Sequence, residues 1–241
     1  MRAPRRWLEA ILPAVVLAVV APAIVALAGC AMTASRDGAP ALSYLAIGDS
    51  YTIGEGVAPI DRWPMQLAAR LRANGIGMAD PHVIAATGWT TDELDAAIDA
   101  TRPGQFDFVS LLIGVNNQYR GRPLDEYRTQ FAALLERAVA FAHGRSGRVL
   151  VLSIPDWGAT TFGVTSGRDT SVISAELDAY NAAARAICDA RGVAFVDITA
   201  LSRQHGAAEA MLVDDGLHPS RAMYTLWTDA ALPVALRVLA R

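Results

Sequence analysis

Cysteine is nearly absent from this chain, with Cys30 and Cys188 the only two in 241 residues. That excludes a fold built on a disulfide framework. Cys188 shares helical spacing with Leu177, Tyr180, Ala184 and Ile187, which reads as a small buried hydrophobe rather than a reactive thiol. A surplus of positive charge is missing too. The formal net charge is −3, so nothing marks a polyanion-binding surface, and nucleic acid is not an expected partner. Aromatics make up only 7% of residues while alanine is plentiful, as expected of helices packed on small side chains. Metal-binding spacing is lacking: His82, His143 and His205 stand in no His-Glu-x-x-His pattern. The glycines of Gly54-Glu55-Gly56 lack the third glycine and the lysine of a phosphate-binding loop. There is no internal repeat and no low-complexity tract. What remains is 53% hydrophobic, enough for one domain with a sizeable core and tight for two.

The first thirty residues read as an export signal. Met1-Arg2-Ala3-Pro4-Arg5-Arg6 is basic, the run from Ile11 to Gly29 carries no charge, and it ends Leu27-Ala28-Gly29-Cys30. The run is also long enough to span a bilayer, so an uncleaved anchor is the alternative. Leu-Ala-Gly-Cys resembles the lipobox of bacterial lipoproteins, in which the cysteine becomes the lipidated first residue of the mature chain. That resemblance implies a signal peptide over residues 1–29, lipid on Cys30, and a tether over 30–41 of small and polar residues. It also implies a location in the bacterial cell envelope, attached to the membrane through Cys30. The lack of Asp at position 31 fits an outer-membrane destination if the cell has one. Cys188 would then have no partner for an intrachain disulfide.

From residue 42 to 241 short apolar runs alternate with longer amphipathic ones. Strands are expected at Leu42–Ile47, His82–Ala86, Phe108–Ile113, Val149–Ile154 and Val193–Ile198. Helices are expected near 62–74, 91–101, 124–142, 174–190 and 219–239. Unbroken Val/Ile/Leu runs predict strands covered on both faces, and the alternation predicts a parallel sheet with right-handed crossovers. Leu124, Tyr127, Phe131, Leu134, Leu135 and Val139 form one stripe, predicted to face that sheet. Thr91 and Asp92 are expected to cap a helix beginning at Glu93. Asp156-Trp157 reads equally well as a pocket wall or as a plain turn. Trp63, Trp89 and Trp157 could serve an acyl pocket, a sugar platform or the core.

The turns after the strands carry the chemistry, because the carboxyl ends of a doubly wound sheet are where ligands bind. Gly48-Asp49-Ser50 follows the first strand. Thr87-Gly88-Trp89 follows the second, Gly114-Val115-Asn116-Asn117 the third, and Asp215-Gly216-Leu217-His218 comes after the fifth. Acyl transfer by an alcohol needs an imidazole to take its proton, a carboxylate to hold the imidazole, and donors for the developing oxyanion. Ser50, His218 and Asp215 supply the first two requirements. Asp214 is adjacent, but the three-residue offset favours Asp215. The backbone N–H groups of Ser50 and Gly88 and the side-chain amide of Asn116 are the candidate oxyanion donors. The bland alternative is that such turns carry Gly, Asn, Ser and Asp for capping alone.

These four blocks, in this order, resemble the SGNH, or GDSL-type, serine hydrolases. The resemblance implies a three-layer α/β/α, flavodoxin-like fold with a mostly five-stranded parallel sheet in the order 2-1-3-4-5. It implies Ser50 as nucleophile, Asp215 and His218 as its partners, an oxyanion hole from Ser50, Gly88 and Asn116, and no cofactor or metal. The expected substrate is a small carboxylic ester with a short to medium acyl chain, as in arylesterases, lysophospholipases and thioesterases. A carbohydrate acetyl esterase is one alternative, and a non-catalytic envelope binding module is another. Two positions depart from the family: Tyr51 stands where Leu is frequent, and Asn117 where Asp is common. The Gly-x-Ser-x-Gly elbow of α/β-hydrolases is missing around Ser50.

Overall fold

The computed structural model describes residues 40–240. The expected signal peptide, Cys30 and nearly all of the expected tether over 30–41 lie outside the described residues.

Five strands form one parallel sheet. They are β1 (Tyr44–Gly48), β2 (His82–Ala85), β3 (Phe108–Leu112), β4 (Val149–Leu152) and β5 (Ala194–Val196), in spatial order β2-β1-β3-β4-β5. The three central strands are buried at every position, which explains why their sequences do not alternate. Each expected strand is present, shorter by one to three residues. Leu42 stands outside β1 and makes only an isolated parallel bridge to Met78.

Nine α-helices are found among the described residues. They are α1 (Ser50–Ile53), α2 (Trp63–Ala73), α3 (Thr91–Thr101), α4 (Val115–Tyr119), α5 (Leu124–Phe141), α6 (Thr161–Thr165), α7 (Thr170–Arg191), α8 (Thr199–His205) and α9 (Arg221–Leu239). α2 and α9 pack together on one side of the sheet, and α3, α5 and α7 on the other. The α5 stripe is buried from Tyr127 to Val139 and packs on β3 and α7. Each such fully buried apolar side chain stabilises the fold by roughly 1.5–3 kcal/mol relative to exposure. Cys188 and Trp63 are buried in the core.

The capping expectation at α3 needs correction. The cap is Thr90, and the helix begins at Thr91. Glu93 accepts from the Thr90 N–H at 2.8 Å and from its hydroxyl at 3.0 Å, so a Thr-x-x-Glu capping box starts the helix where the 91–101 periodicity places it, two residues before the start implied by capping at Thr91 and Asp92.

Sheet register positions the site. Gly48, the last residue of β1, lies level with Ala85 on β2 and Leu112 on β3. Strand order reverses at β1, so a crevice opens there beyond the carboxyl ends. Ser50 lies two residues past its strand end, Gly88 three and Asn116 four. Gly48 permits this close stacking, because a Cβ there would lie 2.3 Å from the Leu112 carbonyl oxygen.

Candidate active site

Ser50 is the first residue of α1, a single turn capped by Asp49, whose Oδ1 accepts from the Tyr51 N–H at 3.0 Å. The first N–H groups of a helix have no partner within it, so the Ser50 N–H is left available. Among the described residues it has no other acceptor. The Asp49 carboxyl is fully buried beneath this turn, and its Oδ2 has no hydrogen-bond partner among the described residues. Burial pushes its pKa up to about 7, against the N–H groups of Tyr51, Asp49 itself and Gly114, which favour the charge.

That shift has a sign for stability. Between the ordinary carboxyl value of 3.8 and about 7, the folded protein holds a proton that the unfolded chain has released. Stability attributable to Asp49 therefore falls as pH rises through that window, by a total on the order of 4 kcal/mol, and is flat above it. Urea unfolding of Asp49→Asn at about pH 4.5 and about pH 7.5 should show this fall removed relative to wild type. An identical pH slope in both proteins would refute the buried neutral carboxyl.

Asp215 and His218 share one local turn. His218 Nδ1 lies 2.6 Å from Asp215 Oδ2, while Asp215 Oδ1 accepts from the backbone N–H groups of Leu217 at 2.7 Å and His218 at 2.9 Å. Partial burial works against charge on Asp215, but the bonds from the His218 ring and these two N–H groups outweigh it. The carboxyl therefore sits below its ordinary range. The imidazole is nearly buried and faces Tyr51, with ring centroids 5.7 Å apart. Tyr51 in turn packs edge-on against Trp227. The Gly216 carbonyl accepts from the Phe162 N–H and from Thr161 Oγ1, tying this turn to α6.

Ser50, Gly88, Asn116 and His218 line one pocket of about 220 Å³, and Asp215 stands behind His218. No hydrogen bond joins the Ser50 hydroxyl to the His218 ring among the described residues. Where a hydroxyl and an imidazole act as nucleophile and base, their contact is often long without substrate and tightens when it binds. Gly88 has φ of 86°, a left-handed value that suits glycine, and its N–H has no acceptor among the described residues. Asn116 Nδ2 donates to the Trp89 carbonyl at 2.9 Å, which fixes the plane of the amide. Asn117 is fully buried and spans Thr91, accepting from its N–H at 3.0 Å and donating to its hydroxyl at 2.7 Å. The neutral amide at this family departure thus serves as both acceptor and donor. Among the described residues no group of three His, Cys, Asp or Glu is placed to hold a metal ion.

Beside Tyr51 and Thr87, the rest of the wall is apolar: Val115, Tyr119, Trp157, Phe162 and Leu217. Trp157 is buried, with Tyr119 edge-on at 5.3 Å and Phe162 at 6.0 Å between ring centroids. Its indole N–H donates to Gln118 Oε1 at 2.8 Å. Trp157 is thus a pocket wall. Asp156 beside it is structural, capping the following turn and pairing with Arg203 at 2.8 Å. Sequence spacing did not mark Tyr119, Phe162 or Leu217.

Residues 46–226 match the GDSL-like lipase/acylhydrolase family. The chain belongs to that family. It is a carboxylic ester hydrolase. Among curated proteins no sequence matches. Similar solved structures include the psychrotrophic esterase EstA from Pseudoalteromonas sp., at 16% identity and a TM-score of 0.60, covering 83% of this chain and 100% of that one. The lipase/acylhydrolase from Enterococcus faecalis is 20% identical with a TM-score of 0.61, covering 83% and 97%. Axe2, an acetylxylan esterase from Geobacillus stearothermophilus, is 20% identical with a TM-score of 0.58, covering 84% and 95%. At these identities the likeness speaks to the fold, and the enzyme shares with all three its layered α/β architecture.

Proposed function

We propose that this hydrolase is an extracytoplasmic, lipid-anchored serine esterase acting on esters with short to medium acyl chains. The observation that carries the reading is the 2.6 Å contact between Asp215 Oδ2 and His218 Nδ1, on an imidazole lining the same pocket as Ser50, Gly88 and Asn116. In the mechanism, Ser50 Oγ attacks the ester carbonyl carbon and His218 Nε2 takes its proton. Asp215 holds the Nδ1–H tautomer and stabilises the imidazolium. The N–H groups of Ser50 and Gly88 and the Asn116 amide receive the negative oxygen. The imidazolium then protonates the leaving alkoxide, and the acyl group remains on Ser50. Water, deprotonated by His218, releases the acid and restores the hydroxyl.

The acyl preference is supported by the wall of Val115, Tyr119, Trp157, Phe162 and Leu217. Its about 220 Å³ lies below the volumes typical of sites for drug-sized ligands, which favours chains of modest length. The envelope location is supported by the basic start, the uncharged run and the Leu-Ala-Gly-Cys ending at Cys30.

One experiment tests both parts. The full chain is expressed in a bacterial host, and kcat/KM is measured in membrane and soluble fractions on p-nitrophenyl esters from acetyl to long acyl chains. Activity should peak at short to medium chains and sediment with membranes, and a fatty-acid label incorporated by the wild type should be lost in Cys30→Ala. Activity confined to acetyl esters would replace the acyl reading with a deacetylase. A wild type that incorporates no fatty-acid label would refute the lipid anchor.

A further inference from the structure

The turn that carries Gly88 is bracketed by charged side chains for which the esterase reading has no task. Residues 86–89 form a β-turn closed by the Trp89 N–H donating to the Ala86 carbonyl at 3.4 Å, with Gly88 in the third position at φ 86°. A positive φ at that position marks the type II form, and types I and II differ by reversal of the middle peptide. Here the middle peptide is Thr87–Gly88, and it carries the Gly88 N–H. The direction this one peptide faces therefore decides whether an oxyanion in the pocket finds that donor.

Two contacts hold the residues on either side of this peptide. On its amino side, Thr87 Oγ1 donates to Glu55, which belongs to the loop leaving the Ser50 turn. On its carboxyl side, Arg120 Nη2 donates to the Gly88 carbonyl at 2.7 Å. Arg120 is aimed by Glu93, which accepts from Nη1 at 3.1 Å and is itself fixed in the capping box of α3. Neighbouring contacts from the same segment reach further along the loop: Asn116 to the Trp89 carbonyl, Asn117 to Thr91 and Arg122 to Asp92. None of these touches Thr87 or Gly88. The Arg120 and Glu93 side chains are each 41% exposed, so their ion pair adds little stability. The bond to the Gly88 carbonyl is charge-assisted and short, and its value is geometric.

We propose that Arg120 is a positioning residue for the oxyanion hole, its guanidinium on the Gly88 carbonyl holding Gly88 in its left-handed conformation so that the Gly88 N–H faces the substrate. This inference rests on Gly88 being an oxyanion donor in the esterase reading. Arg120 acts through the turn. Its removal therefore affects the transition state more than the ground state, and the loss falls on kcat rather than KM.

The test compares wild type, Arg120→Ala and Arg120→Lys by steady-state kinetics on the best p-nitrophenyl ester, with thermal unfolding of each and Ser50→Ala as the blank. Arg120→Ala should lower kcat roughly 10- to 100-fold, because loss of one donor costs about 10²–10³ and misplacement costs less, while KM stays within about twofold. Arg120→Lys should recover part of the loss, since an ammonium can still donate to the Gly88 carbonyl. An unchanged kcat in folded Arg120→Ala, a loss confined to KM, or Arg120→Lys no better than Arg120→Ala would overturn the inference. If those results accompany an active, Ser50-dependent wild type, the inference fails alone. A wild type that Ser50→Ala does not silence would overturn the esterase reading and this inference together.

Discussion

Ser50→Ala should abolish ester turnover and covalent labelling by a fluorophosphonate while leaving the fold unchanged. The attacking oxygen is lost and the adjacent Tyr51 does not replace it: Tyr51 is buried, and burial pushes its hydroxyl well above the ordinary tyrosine range. Removing a triad nucleophile typically costs on the order of 10⁶ in kcat, with a residue of catalysis left to the oxyanion donors and binding. Stability should change little, because Ser50 Oγ joins no hydrogen bond among the described residues, and alanine suits the first turn of a helix. Labelling of wild type but not Ser50→Ala, read by intact-protein mass, checks the assignment. Equal labelling of both would place the nucleophile elsewhere.

Asn116→Ala should lower kcat by roughly 10²–10³ with little change in KM. The amide is already oriented by its bond to the Trp89 carbonyl, so the remaining N–H costs no reorganisation when negative charge develops. The substitution leaves Asn117, the buried neighbour that ties α4 to Thr91, in place. Thermal unfolding should therefore stay near wild type while turnover collapses. A folded variant with full kcat would remove Asn116 from the oxyanion site.

Much of this architecture is legible from residue order because its strands are buried on both faces and its long helices carry apolar stripes. Both are patterns of composition over many residues. α1, α4, α6 and α8 escape that kind of reading. They have four to seven residues, too few to show a period, and are set by caps and tertiary contacts such as Asp49 Oδ1 on the Tyr51 N–H. The start of α7 shows the same limit. It begins at Thr170, four residues before the expected point, because Asp169 caps it there. The start of α3 was written in the sequence as Thr90-x-x-Glu93, a local signal that outweighs the cap expected at Thr91 and Asp92. Among the site residues, Ser50, Gly88, Asn116, Asp215 and His218 sit in turns whose residue types announce them. Phe162 reaches the pocket only because the Gly216 carbonyl anchors the start of α6, a contact across 54 residues that no local pattern encodes. Arg120 is similar, since nothing in its neighbours says that its guanidinium ends on the Gly88 carbonyl.

The level ends of β2, β1 and β3 have a consequence for how this enzyme can diverge. Spacing between the Ser50 turn and the loops that carry Gly88 and Asn116 is inherited from hydrogen-bond register, which changes only in whole residues. A site built this way behaves as a digital setting. It survives wholesale replacement of the apolar side chains on either face and is lost in one step by a slipped strand. Identities of 16–20% to structures sharing the same layered sheet are what such a setting permits.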